Sequence, residues 1–392
     1  MEDGNLTAID LFSGAGGLST GFERAGIEVV FASDMEENSA ETYQQNHPHS
    51  TYIQEDIHNL TVSDVKDEIV TKYDASVYEN LDLVIGGPPC EGFSTQGDYD
   101  PDDPRNQLFK QFLRFVEGFE PKAIVMENVK GILSMEEGEA KRRIIRSINE
   151  LRYDIQEPWL LNSADYGVPQ VRERVFFVAA RNGNEIEQPT PTHGGRDQSR
   201  LDAFSDGGQQ QQQKEVLSVA DAISDLPTLE NGEEKTSYEE SPNNYYQEEL
   251  RQNVSTDELT HHKCPPHREN TRMRYKHIPQ GGNAGDIPEE HSEYKPNNYY
   301  YARNRKLDPD EPSYTVTSHV REELLHYDPE QPRVLTVREA ARLQSFPDEY
   351  TFTGRRVIPH IDDEESQYQQ VGNSVPPKLA YHIGKSIKQS LA

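Results

Sequence analysis

The sequence predicts an α/β fold with a largely parallel sheet, joined to a smaller, loop-rich second domain. Short apolar runs alternate with longer mixed segments over residues 6–180, which is the pattern of buried strands connected by helices. Near residue 190 the composition changes to Pro, Gly, Asp and Gln, which marks a boundary. The predicted strands are Leu6–Phe12, Ile27–Ala32, Leu81–Ile85, Ala123–Met126 and Val175–Ala179.

Three segments have the spacing or the end signals of helices. In Gln107–Phe119 the apolar residues recur at helical intervals, so they are assigned to the core. Thr336–Ser345 begins with Thr336 as a possible N-cap and with Glu339 at capping-box spacing. Val375–Leu391 is the last predicted helix.

These patterns divide the chain into three parts. Residues 1–192 form the sheet-containing domain, and residues 193–359 form the second domain, with a flexible Gln-rich insertion near 196–215. Residues 360–392 return to the first domain. A chain of 392 residues is long enough for one or two such domains.

The charge balance is strongly acidic. The chain has 69 Asp and Glu against 39 Lys and Arg, which gives a formal net charge of −30. A uniformly acidic surface repels a polyanion at ordinary salt, which leaves a small-molecule enzyme as one alternative. Two possibilities would reconcile this charge with nucleic-acid binding. The first is a set of local basic patches, and the second is a saline cytoplasm, where the screening length falls to a few ångströms. The second possibility predicts a halophilic prokaryote as the source.

Hydropathy and cysteine content exclude several other classes. The sequence has no run of about eighteen apolar residues and no basic, apolar leader, so a soluble, cytoplasmic protein is expected. Cys90 and Cys264 are its two cysteines, which exclude a disulfide framework and a Cys-rich zinc cluster. Although His261, His262 and His267 lie near Cys264, a single cysteine argues against zinc there, and no metal is predicted.

The segment Asp10–Gly17 is a glycine-rich turn directly after an apolar run. Such a turn lets the backbone approach a ligand closely, and by itself it fits NAD, FAD or S-adenosylmethionine. Asp34 and Asp56 follow the next two strands and could reach a ribose and an adenine. Each of them is equally well explained as a strand-end or helix-cap residue.

A second motif, Gly86–Ser94, follows the strand Leu81–Ile85. Two prolines stiffen the loop before Cys90, and Gly92 lets the chain turn sharply after it, so the thiol is presented as a nucleophile would be. A buried, inert cysteine is the alternative.

Glu127 closes another strand, and Arg172 and Arg174 precede the strand Val175–Ala179. Because ligands gather at the carboxyl ends of parallel strands, one crevice should be faced by Gly14, Asp34, Cys90 and Glu127. A thiolate that adds to C6 of cytosine makes C5 nucleophilic, and a carboxyl group and a guanidinium would stabilise the charge that develops on the ring. These residue types therefore fit cytosine C5 chemistry.

On these residues the chain resembles the DNA (cytosine-5) methyltransferases, which have a Rossmann-like sheet and a loop-rich target-recognition domain. The resemblance covers about residues 1–190 and 310–392. It departs at Glu91, where the family commonly has Gln, and at Asp34, where Glu is usual. The matching motifs are Asp10–Gly17, Asp34, Asp56-Ile57, Pro88-Pro89-Cys90, Arg105 with Leu108, Glu127–Val129, Gln170–Arg174, Arg338–Pro347 and Gln370–Pro377.

The resemblance implies a role for each motif. Cys90 would be the nucleophile, Glu127 would contact the N3 and amino edge of cytosine, and Arg174 would assist at O2 with Arg172 nearby. The C-terminal segment would complete a pocket for S-adenosylmethionine. The residues implied for that pocket are Phe12, Ser13, Gly14, Gly16, Asp34, Met35, Asp56, Ile57, Pro89, Leu108, Asn373, Ser374 and Val375.

The substrate expected from this resemblance is duplex DNA lying between the two domains, with the target cytosine flipped out of the helix. A local excess of basic residues follows position 260, although a solvated basic face would give the same pattern. Tyr275, Tyr299–Tyr301 and Tyr314 could add contacts to bases or belong to the core. The predicted DNA contacts are Ser94, Lys263, Arg268, Arg272, Arg274, Lys276, Arg303 and Arg305.

Three functions are compatible with these motifs. Methylation of DNA is favoured. The enzyme would be a monomer and would belong to a restriction-modification system whose endonuclease acts separately. Methylation of tRNA by the same fold is the alternative, but tRNA-acting relatives carry a Cys-Phe-Thr tripeptide that this chain lacks. A nicotinamide dehydrogenase would not need Cys90, Glu127 and Arg174 together.

Overall fold

A computed structural model describes residues 6–89, 108–194, 213–254, 258–298, 302–357 and 364–391. The predicted nucleophile Cys90, the predicted DNA contact Ser94 and the motif residue Arg105 lie outside these ranges, as do Glu91 and Tyr299–Tyr301. Most of the Gln-rich insertion also lies outside them.

Eight strands form one sheet, in the order β3-β2-β1-β4-β5-β8-β6, and β7 also pairs with β8. The strands of this sheet are β1 (Leu6–Leu11), β2 (Ile27–Asp34), β3 (Thr51–Gln54), β4 (Leu83–Gly86), β5 (Ala123–Val129), β6 (Asp154–Ile155), β7 (Trp159–Asn162) and β8 (Glu173–Ala180). Four two-residue strands form two further pairs: β9 (His193–Gly194), β10 (Lys214–Glu215), β11 (Arg305–Lys306) and β12 (Leu324–Leu325).

Strands β1 to β5 are mutually parallel, whereas β8 runs antiparallel to β5. The carboxyl ends of the five parallel strands therefore share one edge of the sheet. Strand β8 begins at that same edge, because Val129 at the end of β5 pairs with Arg174 near the start of β8. The order reverses at β1, which has β2 on one side and β4 on the other, and such a switch point is where α/β sheets bind ligands.

The described residues form thirteen α-helices. They are α1 (Gly17–Arg24), α2 (Glu37–Asn46), α3 (Val62–Ile69), α4 (Ser76–Glu79), α5 (Leu108–Phe119), α6 (Glu139–Glu150), α7 (Val219–Ile223), α8 (Tyr245–Leu250), α9 (Glu269–His277), α10 (Val320–Glu323), α11 (Val337–Leu343), α12 (Gln367–Asn373) and α13 (Pro377–Leu391). Short 3-10 helices lie at Lys130–Leu133, Met135–Gly138, Ser163–Tyr166, Ala284–Asp286 and Glu289–Tyr294.

The predicted α/β class and the predicted order of elements are confirmed. Each predicted strand is present, with ends that differ by up to three residues. The helix predicted at Thr336–Ser345 is α11, and the Thr336 side chain caps it in a capping box with Glu339. Among the described residues, every helix is too short or too polar to span a lipid bilayer.

The chain divides into two compact units. The first contains Met1–Asn162, Glu173–Thr190 and Leu379–Ala392, and the second contains Ser163–Arg172 and Pro191–Lys378. The ranges differ from the predicted parts, since Ser163–Arg172 and the residues from 364 to 378 belong with the second unit. Helix α13 packs on α1 in the first unit, where the Lys388 ammonium donates to the Gly26 carbonyl at 2.8 Å.

The core of the first unit lies between its sheet and α3, α5 and α6. Phe112, Phe115 and Val116 of α5 are fully buried against strand residues such as Val84 and Ile124. Removing this apolar surface from water stabilises the sheet and so fixes the strand ends that carry the predicted site.

The second unit has a core with many buried charges. Helix α11 is buried along its whole length. Its Arg342 pairs with Asp225 and with Asp348, at 2.6 Å in the latter case, while Arg333 holds both carboxylate oxygens of Glu339 at 2.7 Å. Buried charges that are paired in this way avoid the cost of an isolated ion.

Candidate active site

The glycine-rich turn after β1 has left-handed backbone at three positions. Phe12 has φ 59°, Gly14 has φ 50° and Gly16 has φ 88°. A Cβ atom at Gly14 would meet no atom within 4 Å, so this residue borders open space. Gly16 starts α1 as its N-cap, and Ser13 donates to the Ser33 carbonyl at 3.0 Å, which ties the turn to the end of β2. The turn is held rigidly with an open side that can receive a ligand.

Asp34 is the residue that closes this turn. One carboxylate oxygen accepts from the Gly14 N–H at 2.8 Å and the other accepts from the Glu36 N–H at 3.0 Å. Burial raises the pKa of Asp34, and the backbone donors oppose that rise. Met35 beside it leaves 61 % of its surface exposed. An apolar side chain and a carboxylate next to open space fit an adenosine, which has an apolar base and a hydroxyl-bearing ribose.

Asp10 is a buried residue near the end of β1, directly before this turn, and the sequence assigned it no role of its own. Its Oδ2 accepts from the Ser19 hydroxyl at 2.6 Å, and Ser19 lies 2.9 Å from the Tyr43 hydroxyl. Among the residues that the structure describes, none hydrogen-bonds to Asp10 Oδ1. Burial raises the pKa of Asp10 to about 8. The carboxyl group is therefore protonated over much of the neutral range.

Asp56 and Ile57 follow β3 and have different surroundings. Asp56 is partly exposed, and its pKa is lowered because the His58 backbone N–H and ring both donate to its Oδ1, at 2.9 and 2.8 Å. Ile57 is buried, and its carbonyl accepts from Arg114 on α5 at 2.6 Å. Arg114 thus fixes the loop that presents Asp56, a contact that helical spacing in α5 does not reveal. Leu108, also predicted to contact the cofactor, lies at the start of α5 and packs partly buried against the core.

The chain that leads to Cys90 runs along the ends of β1 and β5. A Cβ atom at Gly86 would lie 2.1 Å from the Leu11 carbonyl oxygen, so only glycine fits this crossing. Asn128 donates from its amide to the Pro88 carbonyl at 3.1 Å. Pro89, the last described residue of this segment, is exposed.

Glu127 and Arg174 form an ion pair beside that segment. Arg174 Nε lies 3.0 Å from Glu127 Oε1, with 16 and 14 % of the two side chains exposed. A Cβ atom at Gly87 would lie 3.1 Å from Glu127 Oε2, which shows how closely the carboxylate approaches this backbone. A second guanidinium nitrogen of Arg174 donates to the Glu173 carbonyl at 2.9 Å. The Glu127 carboxylate and the Arg174 guanidinium therefore lie together beside the segment that precedes Cys90.

Arg172 has different surroundings from Arg174. It belongs to the second unit, is 1 % exposed and donates to the carbonyls of Val316, Gly372 and Ser374 at 2.6, 2.9 and 3.1 Å. A guanidinium engaged with three backbone carbonyls supports the fold of the second unit, and the catalytic role expected for Arg172 stays a prediction. Gln170 has a similar position and is also fully buried.

The comparisons with known proteins agree with this arrangement of residues. Residues 6–389 match the C-5 cytosine-specific DNA methylase family. The chain belongs to this family. Its members are enzymes that use S-adenosylmethionine as methyl donor.

Two of the curated relatives are type II DNA methyltransferases. The chain is 36 % identical over 394 residues to M.DdeI of Desulfomicrobium norvegicum, covering 97 % of this chain and 88 % of that protein. It is 35 % identical over 386 residues to M1.HphI of Haemophilus parahaemolyticus, covering 98 % and 87 %.

Solved structures share the fold. A prophage-encoded protein of Escherichia coli, assigned as a DNA modification methyltransferase, has a TM-score of 0.73 and 27 % identity, with 99 % of both chains covered. The Dnmt2 methyltransferase of S. pombe, with a TM-score of 0.57, 19 % identity and 99 % of both chains covered, is similar in fold alone.

The C-terminal motif of this cytosine methylase lies in the second unit. Asn373 is exposed and donates to the Glu365 carboxylate at 2.7 Å. Ser374 is buried and donates to the Gln370 carbonyl at 2.7 Å, and Val375 is buried. The cofactor contacts expected of these three residues stay predictions.

Four of the eight predicted DNA contacts in the methylase are paired with acids. The pairs are Lys263 with Glu234 at 2.7 Å, Arg272 with Glu269 at 3.1 Å, Lys276 with Glu330 at 3.4 Å and Arg303 with Glu322 at 3.2 Å. The local basic excess in the sequence is therefore partly neutralised by acids from other segments.

The other predicted contacts have separate surroundings. Arg268 is exposed before α9, and Arg274 donates to the Tyr294 carbonyl at 3.1 Å. Arg305 lies 4.0 Å from the centre of the Tyr314 ring. Tyr275 is buried in a core cluster of the second unit, which favours the core role over a contact to bases.

Proposed function

We propose that this protein transfers a methyl group from S-adenosylmethionine to C5 of cytosine in duplex DNA, with Cys90 as a transient covalent nucleophile. The observation that supports this most directly is the Glu127–Arg174 pair at 3.0 Å, set against the Gly87–Pro88 backbone that leads to Cys90. The family membership supplies the reaction class.

Cys90 would act on the ring before methyl transfer. Its thiolate would add to C6 and form a carbon–sulfur bond, which moves the ring electrons toward C5. After C5 has gained the methyl group, loss of the C5 proton would release the thiolate and restore the aromatic ring. The stiff Pro88-Pro89 segment would keep the sulfur at a fixed distance from the base.

Glu127 and Arg174 would stabilise the charge that develops on the ring. A carboxyl group at the N3 and amino edge can hold a proton there, and a guanidinium at O2 can stabilise negative charge. Their mutual ion pair orients both groups in advance, so little reorganisation is needed in the transition state. Since C6 is hidden inside a duplex, the base must leave the helix to reach them.

The residues of the glycine-rich turn fit the cofactor. Gly14 would allow close backbone approach, Asp34 would accept from ribose hydroxyls with its remaining lone pairs, and Met35 would pack on the adenine. Asp56 would contact the adenine from the next strand end. When bound, S-adenosylmethionine supplies the methyl group as an electrophile on a sulfonium.

We further propose a role in restriction-modification, with a cognate endonuclease acting separately. The relatives named as type II methyltransferases support this context. In such a system the second unit would carry target recognition, through Arg268, Arg274 and Arg305 and through basic residues released from their acidic partners.

The direct test is transfer of radiolabelled methyl groups by the purified protein to duplex DNA or to tRNA. We expect 5-methylcytosine at a defined sequence in DNA, no label in tRNA and no activity in Cys90→Ala. Cys264→Ala is the matched control, since Cys264 is a buried thiol of the second unit, and it should remain active. Labelling of tRNA in preference to DNA would replace the proposed substrate.

A further inference from the structure

Three side chains that the proposed reaction does not use converge at the far end of α1. Glu23 lies one residue before the end of α1, His47 follows the last residue of α2, and His49 precedes β3. In a parallel sheet the helices return toward the amino ends of the strands, so this cluster lies at the sheet edge away from the glycine-rich turn.

Both carboxylate oxygens of Glu23 face histidines. His47 Nδ1 lies 2.8 Å from one oxygen and His49 Nε2 lies 2.8 Å from the other. One nitrogen or oxygen atom from each of the three residues lies within 4.8 Å of the other two. The His47 side chain is 2 % exposed and that of His49 is 46 % exposed, so the cluster is anchored in the protein and open on one side.

The hydrogen bonds around His47 hold its ring in a fixed orientation. The Thr20 hydroxyl lies 3.3 Å from His47 Nε2 and donates to the Gly16 carbonyl at 2.8 Å. His47 Nδ1 faces one Glu23 carboxylate oxygen and His49 Nε2 faces the other, so the donor atoms of all three side chains are directed at one another.

A divalent metal ion would take one ligand atom from each of the three residues. Imidazole nitrogen and carboxylate oxygen are ligands of Zn²⁺ and similar ions, and donors about 2.0 Å from a tetrahedral zinc lie about 3.3 Å apart. The ligand atoms of the cluster are within small side-chain movements of that spacing. The bond from the second ring nitrogen of His47 to Thr20 is the kind of outer contact that orients metal-bound histidines.

We propose that Glu23, His47 and His49 form a structural site for a zinc-class divalent cation, with water in the fourth position on the exposed side. The site reaches the cofactor turn through a short path, since Thr20 joins His47 to the carbonyl of Gly16. The ion would stiffen α1 and thereby the turn, without taking part in methyl transfer.

The test measures zinc binding by equilibrium dialysis with elemental analysis, in about 1 M KCl to suppress weak binding to surface acids. Cys90→Ala is the parent, so that its thiol cannot bind the metal. We expect one zinc per chain, binding at least tenfold weaker after His49→Gln or Glu23→Gln, and a thermal midpoint several degrees higher with saturating zinc.

The matched control is His58→Gln, which removes a histidine paired with one carboxylate, Asp56, and no second histidine. It should bind zinc like the parent. No retained zinc, or equal binding after His49→Gln, would overturn the proposal and leave Glu23, His47 and His49 joined by hydrogen bonds alone. Methyl transfer by wild-type protein after chelation should be unchanged, so this outcome is independent of the proposed reaction.

Discussion

Arg172 and Arg174 are two residues apart in the chain but have opposite surroundings. Arg174 belongs to the first unit, is partly exposed and pairs with Glu127 at 3.0 Å. Arg172 belongs to the second unit, is almost fully buried and donates to three backbone carbonyls. The same residue type thus lies in the candidate site of one unit and in the interior of the other.

The difference shows how to separate functional from structural charges in this protein. At the Glu127–Arg174 pair both side chains keep some exposure, so a substrate can reach them. In the second unit Arg342 and Arg333 are buried and paired with Asp225, Asp348 and Glu339, so a ligand cannot reach them. Substitutions should therefore reduce turnover in the first region and stability in the second.

The largest expected effect is on turnover in Glu127→Gln. The amide keeps the shape but loses the charge and the proton-holding capacity, so turnover should fall by about 10²- to 10⁴-fold while DNA affinity and thermal stability stay near wild type. Steady-state methylation and a DNA-binding titration measure the two quantities. Glu173→Gln is the control, because that carboxylate pairs with Lys130 on the surface. Unchanged turnover in Glu127→Gln would remove this residue from the site.

Arg172→Lys should destabilise the second unit by about 2–4 kcal/mol, because an ammonium cannot reach all three carbonyls and leaves buried acceptors without donors. Trp159 lies in the first unit, so hydrogen exchange of second-unit amides is the suitable measurement. Arg142→Lys, at a surface pair with Glu139, should change stability by less than about 0.5 kcal/mol. A stable Arg172→Lys protein with greatly reduced turnover would instead support the catalytic role predicted from sequence.

Asp10→Asn should flatten the dependence of stability on pH. The pKa of Asp10 is raised from 3.8 to about 8 in the folded protein, so between these values the folded state holds a proton that the unfolded state has released. This contribution is fully present below the lower pKa and is lost as pH rises toward the higher one. Thermal midpoints of wild type should fall more from about pH 5 to about pH 8 than those of Asp10→Asn. An equal fall in both proteins would contradict the assigned protonation, and exposed Asp67→Asn serves as the control.

The smallest expected effects on stability come from breaking exposed ion pairs such as Arg303–Glu322, because salt screens the attraction between the two charges.

The net charge of −30 predicts that salt stabilises the protein. Because salt screens the repulsion between acidic side chains, the thermal midpoint should rise from about 0.1 M to several molar KCl, while methylation persists. If both quantities are highest in dilute salt and decline steadily, the proposal of a saline cytoplasm is wrong.

Much of the fold was predictable because local patterns determine it. Apolar runs gave the parallel strands, and Thr336 with Glu339 gave the start of α11. The alignment of strand ends then placed Gly14, Asp34 and Glu127 on one edge of the sheet. These features depend on the periodicity of apolar residues along the chain and on the rule that parallel strands have their carboxyl ends at one edge of the sheet.

The remaining features depend on contacts between distant parts of the chain. Arg172 and Arg174 have the same spacing and type, and only their long-range hydrogen bonds distinguish them. The basic residues after position 260 formed a local excess in the sequence because Glu234 and Glu330, which pair with Lys263 and Lys276, lie in other segments. Burial of Asp10 and the convergence of Glu23 with His47 and His49 are likewise properties of the packed helices.

The most direct measurement of the central claim is covalent trapping with duplex DNA that carries 5-fluorocytosine at the target. Fluorine at C5 prevents the final elimination, so the thiolate that has added to C6 should remain attached. Wild type and Cys264→Ala should form a complex that survives denaturation, mapped by peptide analysis to Cys90, and Cys90→Ala should form none. Absence of a trapped complex in an active wild-type preparation, or an adduct on another residue, would contradict Cys90 as the nucleophile.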